Sequence, residues 1–556
     1  MPFAAHPDAS SADERTVAQK LLQMLAEHGV EHVYGLPGVH NLAFWDSPVG
    51  PRIIGVRHEQ TAGYAADGFA RTTGKLGVAL TTTGPGAMNV VAAFGEAAVS
   101  HSSIIVIASD VSSALRRDVP RGILHEMRDQ AAAFAPLATQ TPDGAMAWNC
   151  ATAEDAIIAL ERALSYQANF GEVAAYIGVP TDVLSQFTSY GVNSSMRTVG
   201  TLDTAEWISA VNASQRPIIW IGGGAAALAD EPDGEHLLRA FVERTGALVV
   251  ASFAARGVLA GHPQLVEAPV HEPEVHALLE QADCLIVLGS DFDGMNTRNW
   301  RIPTPASVVT LNHADEPIRT NLPNAVHLRA SLSHLEHITS DIAPKSPWRD
   351  ITGLEASLRT RVRNDERGEV GMAVVDAIEA AWPDDAAVVV DMCVAGYWIA
   401  GYLKQPRPRR LAYPVGWGTL GFALPAAIGP ATAGTPTLAV CGDGGAMFAI
   451  GELATYVQEH LPITLLINDD GGYGMLRFDQ QVFGHPERGV DLVTPDWLEL
   501  AGSFGIDGVE VPVEALAGAL QWAHARNVLG QPCVIVIRDV LYPPRTTSPR
   551  WNEPMA

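Results

Sequence analysis

The segment Val440-Cys441-Gly442-Asp443-Gly444-Gly445-Ala446 sets one carboxylate among glycines at the end of an apolar run. Glycines let the backbone come close to a ligand, and the amides of such a turn face an anion. A carboxylate there repels a phosphate unless a cation lies between them. The chemistry this spelling favours is therefore a Mg²⁺–diphosphate site, against the alternative of a plain strand-to-helix turn capped by an aspartate. A second segment, Asn468-Asp469-Asp470-Gly471-Gly472-Tyr473-Gly474-Met475, follows after about one strand–helix–strand crossover. Two neighbouring parallel strands would then offer their oxygens at one sheet edge, where open α/β sheets bind ligands.

Three further runs carry groups suited to chemistry. Residues 57–71 read RHEQTAGYAADGFAR and contain Glu59; residues 81–89 read TTTGPGAMN and contain Gly84. Gly416-Trp417-Gly418-Thr419-Leu420-Gly421-Phe422 lies about twenty residues before the glycine–aspartate turn, and Gly35-Leu36-Pro37-Gly38-Val39-His40-Asn41 is a strand-to-helix turn with a histidine. An imidazole there is suited to moving protons near neutral pH, or else it is a structural turn residue. Residues 121–130, RGILHEMRDQ, end on Gln130.

Together these segments resemble the thiamine-diphosphate-dependent enzyme superfamily, in particular acetolactate synthases, 2-oxo acid decarboxylases and benzaldehyde lyase. The run at 57–71 resembles that of acetolactate synthases. The histidine turn and the run at 121–130 resemble those of guanidino-oxopentanoate decarboxylase. The resemblance implies two cofactors, thiamine diphosphate and Mg²⁺. It assigns Asp443, Asp470 and the carbonyl of Gly472 to the metal, and Glu59 to the pyrimidine ring. Leu420 would hold the cofactor bent and the Gly418 carbonyl would take its amine. Pro37, Gly84, Val394, Gly442, Gly444, Gly445, Tyr473, Gly474 and Met475 would line the cofactor. His40 and Gln130 would act on the substrate beside Glu59.

Two departures stand out. Asp469-Asp470 replaces the paired Asn of the family, and the added charge is expected to tighten Mg²⁺ dependence and make it more pH-sensitive. Val394-Ala395-Gly396 replaces the Gln-His-Gln of acetolactate synthases. The implied reaction is that of a decarboxylase or carboligase: C2 ylide attack on the ketone of a 2-oxo acid, CO₂ loss, then protonation or addition to a second carbonyl. The alternatives are an acetolactate synthase catalytic subunit with FAD, and a cofactor-binding homologue without catalysis. The glycine turn Ile221-Gly222-Gly223-Gly224-Ala225 could take FAD, which is not favoured.

Positioning these groups calls for three α/β domains, each a doubly wound parallel sheet: pyrimidine-binding (16–185), central (200–342) and diphosphate-binding (368–545). A flexible arm (1–15) precedes them and a proline-rich tail (546–556) follows. Apolar runs at 104–110, 217–226, 284–290, 307–312, 437–445, 463–469 and 533–539 alternate with helical spacing, as parallel sheets require. The 556 residues carry 36 basic and 62 acidic side chains, a net charge of −26 that disfavours nucleic acid and anionic membranes. Five scattered cysteines argue against a disulfide framework. No secretory signal or membrane span is read, so a cytoplasmic location is expected. The resemblance implies a homodimer or homotetramer with the active site at the subunit interface.

Overall fold

A computed structural model describes residues 15–189, 202–313 and 316–547. Most of the N-terminal arm, the C-terminal tail from 548 and the start of the central domain at 200–201 lie outside the described residues. The described chain forms two compact units, one built from 15–70 and 75–189, the other from 71–74 and the residues from 202 onward.

The first unit is built on a six-stranded, all-parallel sheet. Its spatial order is Arg52–Gly55, His32–Gly35, Gly77–Thr81, Ile104–Asp110, Ala174–Pro180, Ala147–Asn149. Ile104–Asp110 is buried along its whole length, as a central strand covered on both faces must be. Helices Val17–Glu27 and Ala153–Phe170 cover one face, setting Leu21, Leu25 and Leu160 against Val78, Ile105 and Ile177. Both helices start in capping boxes, Thr16 with Gln19 and Thr152 with Asp155, which satisfy two otherwise unpaired backbone amides each. Phe134 stacks on Tyr176 with ring centroids 3.9 Å apart and meets Phe94 edge-on.

The second unit holds two more parallel sheets. One has five strands, Leu248–Ala251, Pro217–Ile221, Cys284–Leu288, Ser307–Asn312 and Val326–Arg329. The other has six, Leu411–Ala412, Ala387–Val390, Thr437–Gly442, Ile463–Asn468, Cys533–Ile537 and Asp507–Glu510. With strands counted in chain order, both six-stranded sheets run 2-1-3-4-6-5. In each the direction of winding reverses between the first and third strands. The carboxyl edge at that reversal is the binding crevice of doubly wound sheets.

The three doubly wound sheets match the expected fold class. The sequence reading missed five strands: Arg52–Gly55, Ala147–Asn149, Val326–Arg329, Leu411–Ala412 and Asp507–Glu510. All five are sheet edges, and none of them is buried throughout. Short, half-wet strands lack the continuous apolar run that marks a central one.

Candidate active site

In the first unit, the predicted residues meet at the reversal between His32–Gly35 and Gly77–Thr81. The turn at 35–41 is fixed by Asn41, which is fully buried. Its side chain accepts from the Gly38 amide at 2.7 Å and donates to the Leu36 carbonyl at 3.0 Å. Pro37 and Val39 are left exposed on this turn. Glu59 opens the helix Glu59–Thr73 and is 7% exposed. Asn89 donates to its Oε2 at 3.0 Å, and Oε1 lies over Gly86, where an added Cβ would come within 3.1 Å. A carboxylate at a helix start sits at the positive end of the dipole and is held there by a side chain one turn-and-helix away.

Gly84 has φ +61° and faces the backbone of His125; an added Cβ would lie 2.5 Å from the His125 carbonyl oxygen. Only glycine meets both demands. The Gly84 amide donates to Gln130 Oε1 at 2.6 Å, and Gln130 Nε2 donates to the Ser109 carbonyl at 3.2 Å. Gln130, 1% exposed, thus ties the ends of two strands together. Both ends of its amide bond to the protein's own backbone. Glu126 holds the loop before it, accepting from the amides of Arg121, Gly122 and Ile123 at 2.7–3.0 Å.

His40 meets His125 edge-on, ring centroids 5.2 Å apart. The Nδ1 atoms of both are buried without a partner. Burial holds His40 below the usual imidazole range and the neighbouring His125 pushes the same way, against the pull of Asp110. Burial thus favours the neutral imidazole at His40.

In the second unit, the other predicted residues gather at the reversal between Ala387–Val390 and Thr437–Gly442. Asp443 is 1% exposed, and neither carboxylate oxygen has a hydrogen-bond partner. Burial lifts its carboxyl to about 7, and the charges of Asp470 and Asp469 add to the rise. An orphaned buried carboxylate is costly unless a cation meets it, so the residues fit a bound divalent ion. The oxygens that would meet it are the expected ones, the Asp443 and Asp470 carboxylates and the Gly472 carbonyl. Among the described residues no cluster of three or more His, Cys, Asp or Glu is placed to hold a metal.

The glycines around this carboxylate have steric reasons. A Cβ on Gly444 would strike the Tyr473 ring at 2.5 Å, on Gly445 the Asp391 Oδ2 at 2.4 Å, and on Gly474 the Asp470 Oδ2 at 2.0 Å. Gly442 has no such crowding, its nearest neighbour being Cys393 Cβ at 3.7 Å. Gly472 is bridged to Asp491, and the amides of Tyr473 and Leu492 bond to Val490 and Gly471, which fixes this loop. Met475 is half-buried on the helix Gly474–Val482.

Asp391, just past the strand Ala387–Val390, holds a neighbouring loop. It is fully buried and accepts from the amides of Gly421 (3.0 and 2.9 Å) and Phe422 (3.3 Å). This anchors the loop that carries Gly418 and half-buried Leu420, whose Cδ1 lies 3.5 Å from where a Gly445 Cβ would sit. Val394 starts the helix Val394–Tyr402, capped by Cys393, whose Sγ accepts from the Gly396 amide. Burial lifts the Cys393 thiol to about 12, and all five cysteines are free.

The Asp469-Asp470 pair divides its work. Asp469 is 3% exposed and accepts from Trp497 Nε1 (2.9 Å), Arg538 Nη1 (2.5 Å), Thr494 and the Gly471 amide. Asp470 faces Arg477, 3.9 Å away, which also donates to the Asp470 and Gly471 carbonyls. Burial raises the Asp470 carboxyl and Arg477 opposes the rise. Two arginines therefore face the added charge, each shared with a second acid, Arg477 with Asp491 and Arg538 with Glu510; Arg538 lies three helices further along the chain.

At the central sheet, the turn 222–224 packs on Gly289. A Cβ on Gly222 would lie 2.3 Å from the Gly289 carbonyl, and the Gly224 amide donates to the same oxygen at 2.9 Å. Backbone packing accounts for these glycines without a nucleotide. Among the described residues no helix is long and apolar enough to cross a membrane.

Three family descriptions match the chain: thiamine pyrophosphate enzyme, N-terminal TPP binding domain, over 15–133; central domain, over 204–335; and C-terminal TPP binding domain, over 391–537. A probable 2-ketoarginine decarboxylase of Pseudomonas aeruginosa is 31% identical over 88% of this chain and 88% of its own length. An acetolactate synthase of Mycobacterium bovis is 28% identical over 94% of this chain and 87% of its own, and one of Bacillus subtilis 27% over 89% and 88%. With two glycine-rich sheet edges carrying Glu59 and Asp443, and relatives spanning nearly the whole sequence, this chain belongs to the thiamine pyrophosphate enzyme family.

Proposed function

We propose that the protein is a thiamine-diphosphate- and Mg²⁺-dependent 2-oxo acid decarboxylase or carboligase. The observation that carries the reading is Asp443, a buried carboxylate with both oxygens unpartnered at a glycine turn on a sheet reversal. Asp443, Asp470 and the Gly472 carbonyl would hold the metal. Thiamine diphosphate, when bound, supplies the carbanion that adds to a ketone and accepts the electron pair released as CO₂ leaves.

The chain's own residues do the rest. Glu59 would present Oε1 to the pyrimidine ring while Asn89 fixes Oε2. Leu420, anchored through Asp391, presents an apolar side chain beside the diphosphate turn. His40, kept neutral, gives or takes the proton at the substrate carbon or oxygen. Gln130 is read as a positioning residue that sets Gly84. Pro37, Val394, Tyr473 and Met475 complete the cofactor walls. We read 16–185, 200–342 and 368–545 as the three domains, and the working form as a cytoplasmic homodimer or homotetramer.

Acetolactate synthesis from pyruvate is the second reading, favoured by the names of several relatives. A screen of CO₂ release over 2-oxo acids decides between them, with thiamine diphosphate and Mg²⁺ and with 2-ketoarginine and pyruvate included. Release from one substrate that is lost in Glu59→Gln supports the proposal. Acetolactate as the main product from pyruvate favours the second reading. Cofactor binding without turnover of any 2-oxo acid overturns both.

A further inference from the structure

A cleft of about 450 Å³ opens in the second unit, away from the Asp443 edge. Its walls come from residues 382–386 and 403–410, which lead into the amino ends of the strands Ala387–Val390 and Leu411–Ala412. The third wall, at 260–267, belongs to the loop after the central strand Leu248–Ala251. Asp391 and Asp443 follow the carboxyl ends of their strands, so the cleft lies on the opposite edge of the same sheet. Its volume falls in the range of small-molecule sites, which favour the junctions between layers.

The inner wall is apolar: Ile378, Trp382, Val388 and Leu403 are each at most 6% exposed. The charges at its mouth are mostly satisfied. Lys404 Nζ pairs with Glu355 at 2.8 Å, and Glu379 pairs with Arg359 at 2.8 Å. Glu267 shares a hydrogen bond with Glu355, and its burial together with that neighbour's charge holds it toward the protonated form. Arg410 and the exposed Asp384 are the exceptions among the described residues. Arg410 lines the cleft, its Nε is buried without a hydrogen-bond partner, and it pairs with no acid among the described residues. A buried donor left unpaired is destabilising, and an acceptor of the right charge would relieve it.

We propose that this cleft is a second ligand site, taking a small monocarboxylate with an apolar body: the carboxylate on Arg410, the body against Trp382 and Ile378. One free guanidinium matches one negative charge, and the apolar wall gives no partners to a polyphosphate or sugar. The site is independent of the reading given for the catalytic edge.

Equilibrium dialysis of the full-length protein with isotopically labelled 4-methylpentanoate tests it. Saturable binding is expected, weakened at least about tenfold (~1.4 kcal/mol) in Arg410→Gln and largely restored in Arg410→Lys, which keeps the charge. The neutral 4-methylpentanamide is expected not to compete. Circular dichroism verifies that each variant is folded. An absence of saturable binding, equal affinity in Arg410→Gln, or competition by the amide at the same concentration each overturns the assignment.

Discussion

Asp443 and Asp469 are both buried carboxylates on one sheet edge, yet they ask for opposite things. Neither Asp443 oxygen has a well-formed hydrogen bond, and the Gly444 and Gly472 amides near it do not outweigh its burial, so in the cofactor-free chain its charge is a cost. Asp443→Asn should leave the melting temperature of the cofactor-free protein unchanged or higher while weakening Mg²⁺-dependent thiamine diphosphate binding more than tenfold, over about 1.4 kcal/mol. Paired thermal melts and cofactor titrations followed by tryptophan fluorescence read both effects. A large destabilisation with unchanged cofactor affinity would mean the carboxylate serves the fold. Asp469 is held by Trp497 and Arg538, so Asp469→Ala should cost about 1–3 kcal/mol through donors left unpaired. Asp470 has Arg477 beside it, so Asp470→Asn should change Mg²⁺ affinity by less than tenfold. The sequence alone suggested a stronger charge effect, because only the fold brings the remote Arg538 to Asp469 and turns the nearby Arg477 onto Asp470.

At the scale of elements, Gln130 links the strands Gly77–Thr81 and Ile104–Asp110 just past their carboxyl ends. Gln130→Ala should leave a buried amide and a buried carbonyl unpaired, lowering stability by about 2 kcal/mol. Hydrogen exchange at the Gly84 amide should speed up with it, and an unchanged exchange rate there would sink the clamp. This clamp was not legible in the sequence. The run at 121–130 marked Gln130 as important, but only the fold shows that its amide meets backbone on both sides. The central strands were legible because burial on both faces writes a continuous apolar run, as in CVIVI and IIVIASD. The edge strand Asp507–Glu510 was not, because DGVE carries charges at both ends and is nowhere fully buried. Glu59 and Asp443 were legible because glycines and carboxylates at fixed spacing have few other uses. The roles of Asp391, Asn41 and Asn89 were hidden because each acts on a backbone or a side chain that only the sheet reversal brings near.

At the scale of the whole molecule, two buried neighbours respond to acid in opposite senses. His271 is 5% exposed, its Nε2 within 3.0 and 3.1 Å of the Met295 and Asn296 carbonyls, and burial lowers it to about 4. Its unfolded form takes up a proton near 6.5, so the unfolded state binds more protons between 6.5 and 4. The stability tied to neutral His271 is therefore full above pH 6.5 and lost as pH falls through that window, by up to about 3 kcal/mol. Glu272, bonded to Tyr402 and Arg361, is raised by burial. A raised acid works the other way: its contribution is full below the ordinary carboxylate range and is lost as pH rises through the folded value. Between pH 6.5 and 4 the two partly cancel, which should flatten the acid response of the second unit. Substituting one at a time exposes each. His271→Gln should lose less stability than the parent between pH 6.5 and 4, the two curves converging by about 3 kcal/mol, while Glu272→Gln should lose more, since the gain on protonating Glu272 is gone. Denaturant titrations at half-unit pH steps measure both differences. Parallel curves for parent and His271→Gln would mean that the imidazole already carries its proton when folded.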